Sequence, residues 1–239
     1  MKLAISEVFY SIQGEGMTVG YPSVFVRLGG CNLMCGGMGT QNDGELHNAT
    51  WRCDTIEVWM KSQSKDVSDV LNDECINALK KGSHLIITGG EPLMQQEGMI
   101  DFIQHIDKTI PNVYIEIETN GTIEPANFLQ RRINQWNCSP KLANSGNSKY
   151  IYFNQNVIEV VNKLHTQFKF VVSSEEDWQE IQVTYLKHID KDKVWLMPSG
   201  ENQSLLNQTK GLVADICKRE YLKFTSRLHI EIWDKKTGV

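Results

Sequence analysis

HLIITGGEP, residues 84–92, decides the fold. Leu85, Ile86 and Ile87 form an unbroken apolar run, and Gly89-Gly90 ends it. A short apolar run closed by a glycine turn reads as a buried strand. A helical pattern follows at 97–108. Outward from there the same order recurs. NVYIEIETNGT (112–122) reads as a strand, 125–133 as a short helix, and WNCSPK (136–141) as a strand entering a turn. Helix 154–165, strand FKFVVSS (168–174), helix 175–189 with Ser173 or Ser174 as N-cap, strand VWLMPSG (194–200) and helix 202–221 continue it. Upstream, AISEVFYSI (4–12) and SVFVRLGG (23–30) alternate like strands. DVSDVLNDECINALKKG (66–82) predicts a helix with Leu71, Cys75, Ala78 and Leu79 on one side. SRLHIEIW (226–233) reads as a last strand. Strands alternating with helices imply βαβ units and a mainly parallel sheet. About six units are too few for a closed eight-stranded barrel, so the expected fold is α/β, an open, partial (β/α)6 barrel. No repeat or linker divides residues 1–239, and 36–50 and 142–151 are the expected long loops.

Composition narrows the class. The chain has 239 residues, 41% hydrophobic and 22% charged, with a net charge of -5. That excludes disorder. It also argues against sequence-independent nucleic-acid binding, which needs clustered Lys and Arg. No apolar run reaches a membrane span, and MKLAISEVFY lacks the apolar core of a signal peptide, so the expected compartment is the cytoplasm. Six cysteines in a reducing compartment suggest metal or redox chemistry before disulfides.

In parallel α/β sheets, ligands bind at the C-terminal strand ends. There this chain puts TGGEP (88–92), ETNGT (118–122), SPK (139–141) and MPSG (197–200). The cysteines cluster in GGCNLMCGGMGTQNDGELHNATWRCDT (29–55). Cys31 and Cys35 lie four apart, and seventeen residues separate Cys35 from Cys53. Thiolates suit zinc or iron–sulfur clusters. A structural zinc wants four protein ligands, and His47 is the only other local candidate. Cys75 and Cys217 read as core thiols. Cys138 is ambiguous between core and ligand.

With these motifs the chain resembles the radical S-adenosylmethionine (SAM) superfamily, whose usual signature is C-x3-C-x2-C with a GGEP-like turn. Cys31-x3-Cys35 and TGGEP match, while Met38 stands where the third cysteine is usual. The closer likeness is to the 7-carboxy-7-deazaguanine synthase family. It rests on Gln13-Gly14-Glu15-Gly16, Pro22 with VFVRLGGC, Trp51-Arg52-Cys53-Asp54-Thr55, Ser139-Pro140-Lys141 and a terminal His-bearing segment.

The resemblance implies a radical SAM barrel and a [4Fe-4S] cluster on Cys31, Cys35 and Cys53, with 36–50 bulging out as an inserted loop. SAM on the open iron would yield a 5'-deoxyadenosyl radical, and 6-carboxy-5,6,7,8-tetrahydropterin would become 7-carboxy-7-deazaguanine with loss of ammonia. The implied substrate residues are Ile12, Gln13, Gly14, Glu15, Arg27, Thr88, His229 and the carboxylate of Val239. Arg27 offers a planar fork for the substrate carboxylate, the alternative being a surface Arg. SAM would be held by Arg52, Cys53, Asp54, Gly90, Glu91, Ser139, Pro140, Lys141, Met197, Pro198, Ser199 and Gly200. A missing side chain at Gly90 would admit it, and Glu91 would accept from its amino group. Magnesium is expected on Thr55. An electron donor such as a flavodoxin or ferredoxin and a homodimer are implied as well; no nucleic acid or membrane is. Glu116 and Glu118 point to one side of their strand and receive no role. Two other readings stand beside this one: an activase of a glycyl-radical enzyme, and a zinc-stabilised module without catalysis.

Overall fold

Strands β1 (Lys2–Ile12), β2 (Pro22–Leu28), β3 (Gln63–Asp66), β4 (His84–Gly89), β5 (Ile115–Thr119), β6 (Gln135–Cys138), β7 (Thr166–Val172), β8 (Val194–Pro198) and β9 (Lys223–Phe224) form one sheet. Their order in this computed structural model, which describes residues 1–236 and 238–239, is β3-β1-β2-β4-β5-β6-β7-β8-β9. From β2 to β9 every pair is parallel, while β1 runs antiparallel to both its neighbours. The sheet is open, with β3 and β9 as its edges. The expected α/β architecture is therefore present, with six parallel strands of useful length and a two-residue seventh.

The helices are α1 (Thr40–Asp43), α2 (Ile56–Trp59), α3 (Asp73–Lys80), α4 (Gln96–Thr109), α5 (Asn127–Arg132), α6 (Lys149–Tyr152), α7 (Gln155–Asn162), α8 (Glu175–Thr184), α9 (Gln203–Glu220) and α10 (Leu228–Trp233). Strand alternation decides which face they cover. Leu85 and Ile87, Ile115 and Ile117, and Trp136 pack with Phe102, Ile103 and Ile106 of α4. Phe168, Phe170 and Leu196 pack with Trp178 and Ile181 of α8 and Val213 and Ile216 of α9. Fully burying each such side chain contributes about 1.5–3 kcal/mol. Ser174 caps α8 through a reciprocal bond with Asp177. Where one Ser of two was expected, the second is chosen because only it lies three residues before Asp177.

The opposite face of the same strands carries Thr88, Glu116, Glu118, Gln135, Asn137, Gln167 and Lys169. Parallel strands covered on both faces read as continuous apolar runs. Here most residues on that face are polar, Ile86 and Val171 excepted, because it borders a cavity rather than a second helical layer.

Three expected elements differ, one of them the helix predicted over 175–189, which ends at Thr184. The helix predicted over 66–82 is shorter: Val67–Asp69 is a single 3-10 turn, and α3 starts after Asn72, whose side chain accepts from Cys75 N–H at 2.9 Å. The strand predicted over 226–233 is α10. The chain leaves the sheet at Thr225, whose hydroxyl accepts from Gly16 N–H at 2.7 Å, and the Leu228 N–H then bonds Gly14 O at 2.8 Å. In six residues with one buried side chain, Ile230, a period of 2 and a period of 3.6 look alike.

The two predicted long loops contain helical turns and dock on each other. Gly36 N–H bonds Ser145 O at 3.0 Å, and Thr50 N–H bonds Asn144 O at 2.9 Å. Met34 N–H bonds Asn147 Oδ1 at 3.0 Å. Among the described residues no helix is long and apolar enough to cross a membrane.

Candidate active site

The polar strand face, the loop 13–15, the cysteine segment and α10 enclose a cavity of about 710 Å³. Clefts of roughly 300–1,000 Å³ are usual for small-molecule sites. Its floor is a set of ion pairs. Glu15 is bonded by Lys169 Nζ on one oxygen and by Arg227 Nε at 2.9 Å on the other. Arg227 also donates to Asp54 Oδ2, and to Gly200 O at 2.7 Å. Burial opposes charge on Glu15, yet Lys169 and Arg227 outweigh it and hold the carboxyl far below the usual range. Burial likewise opposes the Arg227 charge, and Asp54 and Glu15 more than offset it. His229 is held below its ordinary pKa, first by burial, so its imidazole is neutral at pH 7.

Glu118 sits in the same floor. Gln13 Nε2 donates to one oxygen at 3.2 Å and Thr88 Oγ1 to the other at 2.7 Å. One layer below, fully buried Glu116 accepts from Thr18 Oγ1 at 2.9 Å and Asn137 Nδ2 at 2.8 Å and contacts His84 Nδ1 at 2.7 Å. That layer ties the 13–18 loop to the sheet. Sequence reasoning gave no role to Glu116, Glu118, Lys169 or Arg227. The available signal was a charged residue at alternate positions of otherwise apolar strands, as in IEIET and FKFVV.

The cysteine segment closes on itself. Cys53 N–H bonds Cys35 O at 3.1 Å, and His47 N–H bonds Gly36 O at 2.7 Å. The insert is thus a loop with a tied neck, and its third thiol returns beside the first two; Cys31, Cys35 and Cys53 all line the cavity. Apolar neighbours Leu33, Tyr152 and Phe153 pack around them. Burial pushes the Cys31 thiol to about 11 and the Cys35 thiol to about 12. Thiolates persist in such a place only against a compensating metal. Leu33 N–H reaches Cys31 Sγ at 3.5 Å and Asn147 Nδ2 reaches Cys35 Sγ at 3.7 Å, donors of the kind that tune a cluster. Among the described residues no three His, Cys, Asp or Glu side chains converge on one ion. His47 is instead paired with Asp43 at 2.9 Å. Cys75, Cys138 and Cys217 are buried and do not line the cavity.

Every residue expected at the site lines this cavity except Glu91, Pro140 and Pro198. Glu91 is fully buried and occupied: Leu93 N–H at 3.0 Å, Thr119 Oγ1 at 2.8 Å and Asn120 N–H at 2.7 Å donate to it. It fixes the turn after β4 and does not face a ligand. Pro140 and Pro198 are buried behind the wall. Gly90 lines the cavity, but a Cβ there would meet Gly30 O at 2.0 Å and Cys31 Cβ at 2.7 Å. Its missing side chain admits the cysteine segment, which corrects the expected reason for that glycine. Gln13 is a brace whose Oε1 accepts from Glu15 N–H at 3.1 Å. Arg27 is paired through Nε with Glu7 at 2.7 Å in the cavity wall, not on the surface. A Cβ on Gly14 would lie 2.2 Å from His229 Nδ1, so that imidazole packs on bare backbone.

Comparison with known proteins agrees with this geometry. Residues 12–127 match the family model described as a 4Fe-4S single cluster domain. The 7-carboxy-7-deazaguanine synthase of Halobacterium salinarum is 30% identical, over 97% of this chain and 91% of that protein. The synthase of the same name from Aquifex aeolicus is 32% identical, over 92% and 88%. The chain belongs to the 7-carboxy-7-deazaguanine synthase family. Another synthase, from Pyrobaculum aerophilum, matches over 99% of this chain and 97% of its own at 29% identity. The crystal structure of QueE from Escherichia coli shares the fold, with a TM-score of 0.65 at 22% identity over 96% of this chain and 95% of that one.

Proposed function

We infer that the chain is the radical SAM lyase that converts 6-carboxy-5,6,7,8-tetrahydropterin to 7-carboxy-7-deazaguanine with loss of ammonia, in 7-deazapurine biosynthesis of the queuosine type. One observation carries it: the Cys53 to Cys35 closure brings three thiols to the rim of a cavity with a charged, hydrogen-bonding floor. A cavity of about 710 Å³ is of small-molecule size, whereas a glycyl-radical activase takes a polypeptide.

When bound, the [4Fe-4S] cluster and SAM supply the radical that removes hydrogen from the substrate. The chain's residues position and shield. We assign the pterin's N–H edge to Glu15 and Glu118, oriented by their donors. We assign the substrate carboxylate to the outer nitrogens of Arg27, and His229 and Val239 to the polar edge of the ring. Stacked Phe9 and Phe25, 4.9 Å apart, exclude water along one wall. Arg52, Asp54, Ser139, Lys141, Met197, Ser199 and Gly200 are assigned to SAM. Lys141 bonds Ser139 O at 2.8 Å and so keeps that turn in shape. The Thr55 hydroxyl, on the same wall, fits a magnesium ion that keeps most of its water; Asp54 is held by Arg227. A flavodoxin or ferredoxin donor, a homodimer and a cytoplasmic location complete the reading.

The test is anaerobic turnover of the carboxypterin with SAM, magnesium and a reductant. A brown protein giving 7-carboxy-7-deazaguanine by mass, with one ammonia per product, is the expected result. A colourless zinc protein, or a brown one that cleaves SAM without this product, overturns it. Omitting magnesium should slow turnover.

A further inference from the structure

Lys169 is 4% exposed, lines the cavity, and stands on β7 between two apolar neighbours. Burying an ammonium costs several kcal/mol unless all its donors are used. Its three donors have one hydrogen-bond partner among the described residues, Glu15. The contrast with Arg227 is direct, since that guanidinium bonds Glu15, Asp54 and Gly200 O. Lys169 and Arg227 together balance Glu15 and Asp54, so the Lys169 charge is matched while two of its three N–H donors are not. Spare donors on a buried ammonium at a cavity wall ask for an acceptor from a ligand.

The neighbours say what kind. Glu15 and Glu118 both favour the charged form of Lys169, and both line the cavity. Each carboxylate has about four acceptor sites, and two on Glu118 are taken by Gln13 and Thr88. The floor therefore presents one donor beside carboxylate acceptors. A 2-amino-4-oxo pyrimidine edge is its complement: a carbonyl oxygen, a ring N–H and an exocyclic amine. Resting on the reading above that the ligand is a pterin, we propose that Lys169 donates to its C4 carbonyl oxygen and sets the preference for a 4-oxo ring.

The test uses 6-carboxypterin and its 4-thioxo analogue, which keeps the ring N–H and replaces the oxygen with a larger, weaker acceptor. Binding to the whole protein is followed by calorimetry. Wild type should prefer the oxo ligand. Lys169→Met should lose about ten- to hundredfold for it and far less for the thioxo ligand, so that the preference collapses. Lys169→Arg should restore part of it. Equal losses for both ligands would mean that Lys169 only supports the fold, and would overturn the proposal. A second measurement needs no variant: the C4 carbonyl stretch of 13C-labelled 6-carboxypterin should move to lower frequency on binding to wild type, and an unmoved band overturns the proposal. If wild type binds neither ligand, the pterin reading itself fails, an outcome distinct from an unchanged preference.

Discussion

Single side chains set the chemistry and give the sharpest tests. Cys31→Ala, Cys35→Ala and Cys53→Ala should each lose iron under anaerobic reconstitution, while Cys75→Ala, Cys138→Ala and Cys217→Ala should keep it. Full iron in Cys53→Ala would sink the ligand set. Arg227 joins Glu15 and Asp54 across more than 170 positions of sequence. Arg227→Met leaves Asp54 without its cation while Glu15 keeps Lys169, which should cost about 3–5 kcal/mol in denaturant unfolding. Pairing it with Asp54→Asn should recover part of that. His229 has a folded pKa below its ordinary 6.5, chiefly through burial. The unfolded chain then binds more protons, so this stability is present above about pH 6.5 and is lost as pH falls through the lower, folded value. Unfolding free energy should drop more steeply from pH 7 to 5 in wild type than in His229→Gln; parallel curves would refute it. At this scale the sequence was informative wherever a motif carried a residue type, as in WRCDT. It was silent on Lys169 and Arg227, whose partners lie far along the chain and are joined only by folding.

At the scale of elements, local pattern served best where an element is long. The strands β4, β5, β7 and β8 and the helices α4 and α9 lie where alternation and helical spacing put them. Short pieces misled: α10 was hidden because six residues carry too few buried positions to show a period, and α3 was overextended because Asn72 reads as helix interior until its side chain is seen capping. The insert shows what an element owes to its ends. Gly36 and His47 are bonded at the neck, so the residues between them leave and return at one point. Replacing 38–46 with a two-residue Gly-Ser link should leave iron content unchanged. Shortening a loop alters closure entropy only slowly, so the stability cost should be near 1 kcal/mol, or about 2–4 °C in melting temperature. In that variant Arg52 loses its Thr40 partner at 3.0 Å and His47 its Asp43 partner at 2.9 Å. Loss of iron in the shortened chain would show that α1 itself shapes the cluster site.

At the scale of the molecule, one sheet serves two solvents. Its helical face is apolar and fixes the fold; its other face is a polar chamber stabilised by mutual hydrogen bonding. The fold class was legible because strand and helix patterns alternate regardless of what the second face does. The chamber was not, since a Glu in a strand looks the same whether it meets water or a buried amide. Glu116 is where the distinction has most weight. Glu116→Leu strands Thr18 and Asn137, both buried, at roughly 1–3 kcal/mol each, and should lower unfolding free energy by about 2–6 kcal/mol. Glu116→Gln should lose less, and equal losses for the two would mean that volume rather than bonding matters there. The tied neck between Cys35 and Cys53 has a consequence of another kind. Distance along a chain and distance in space are separate quantities, and a knot of backbone hydrogen bonds uncouples them. A signature written as a count of residues breaks at Cys53, whereas one written as a closure is intact. The stretch outside the neck is therefore free to drift in length and composition, because the thiols register only where it begins and ends.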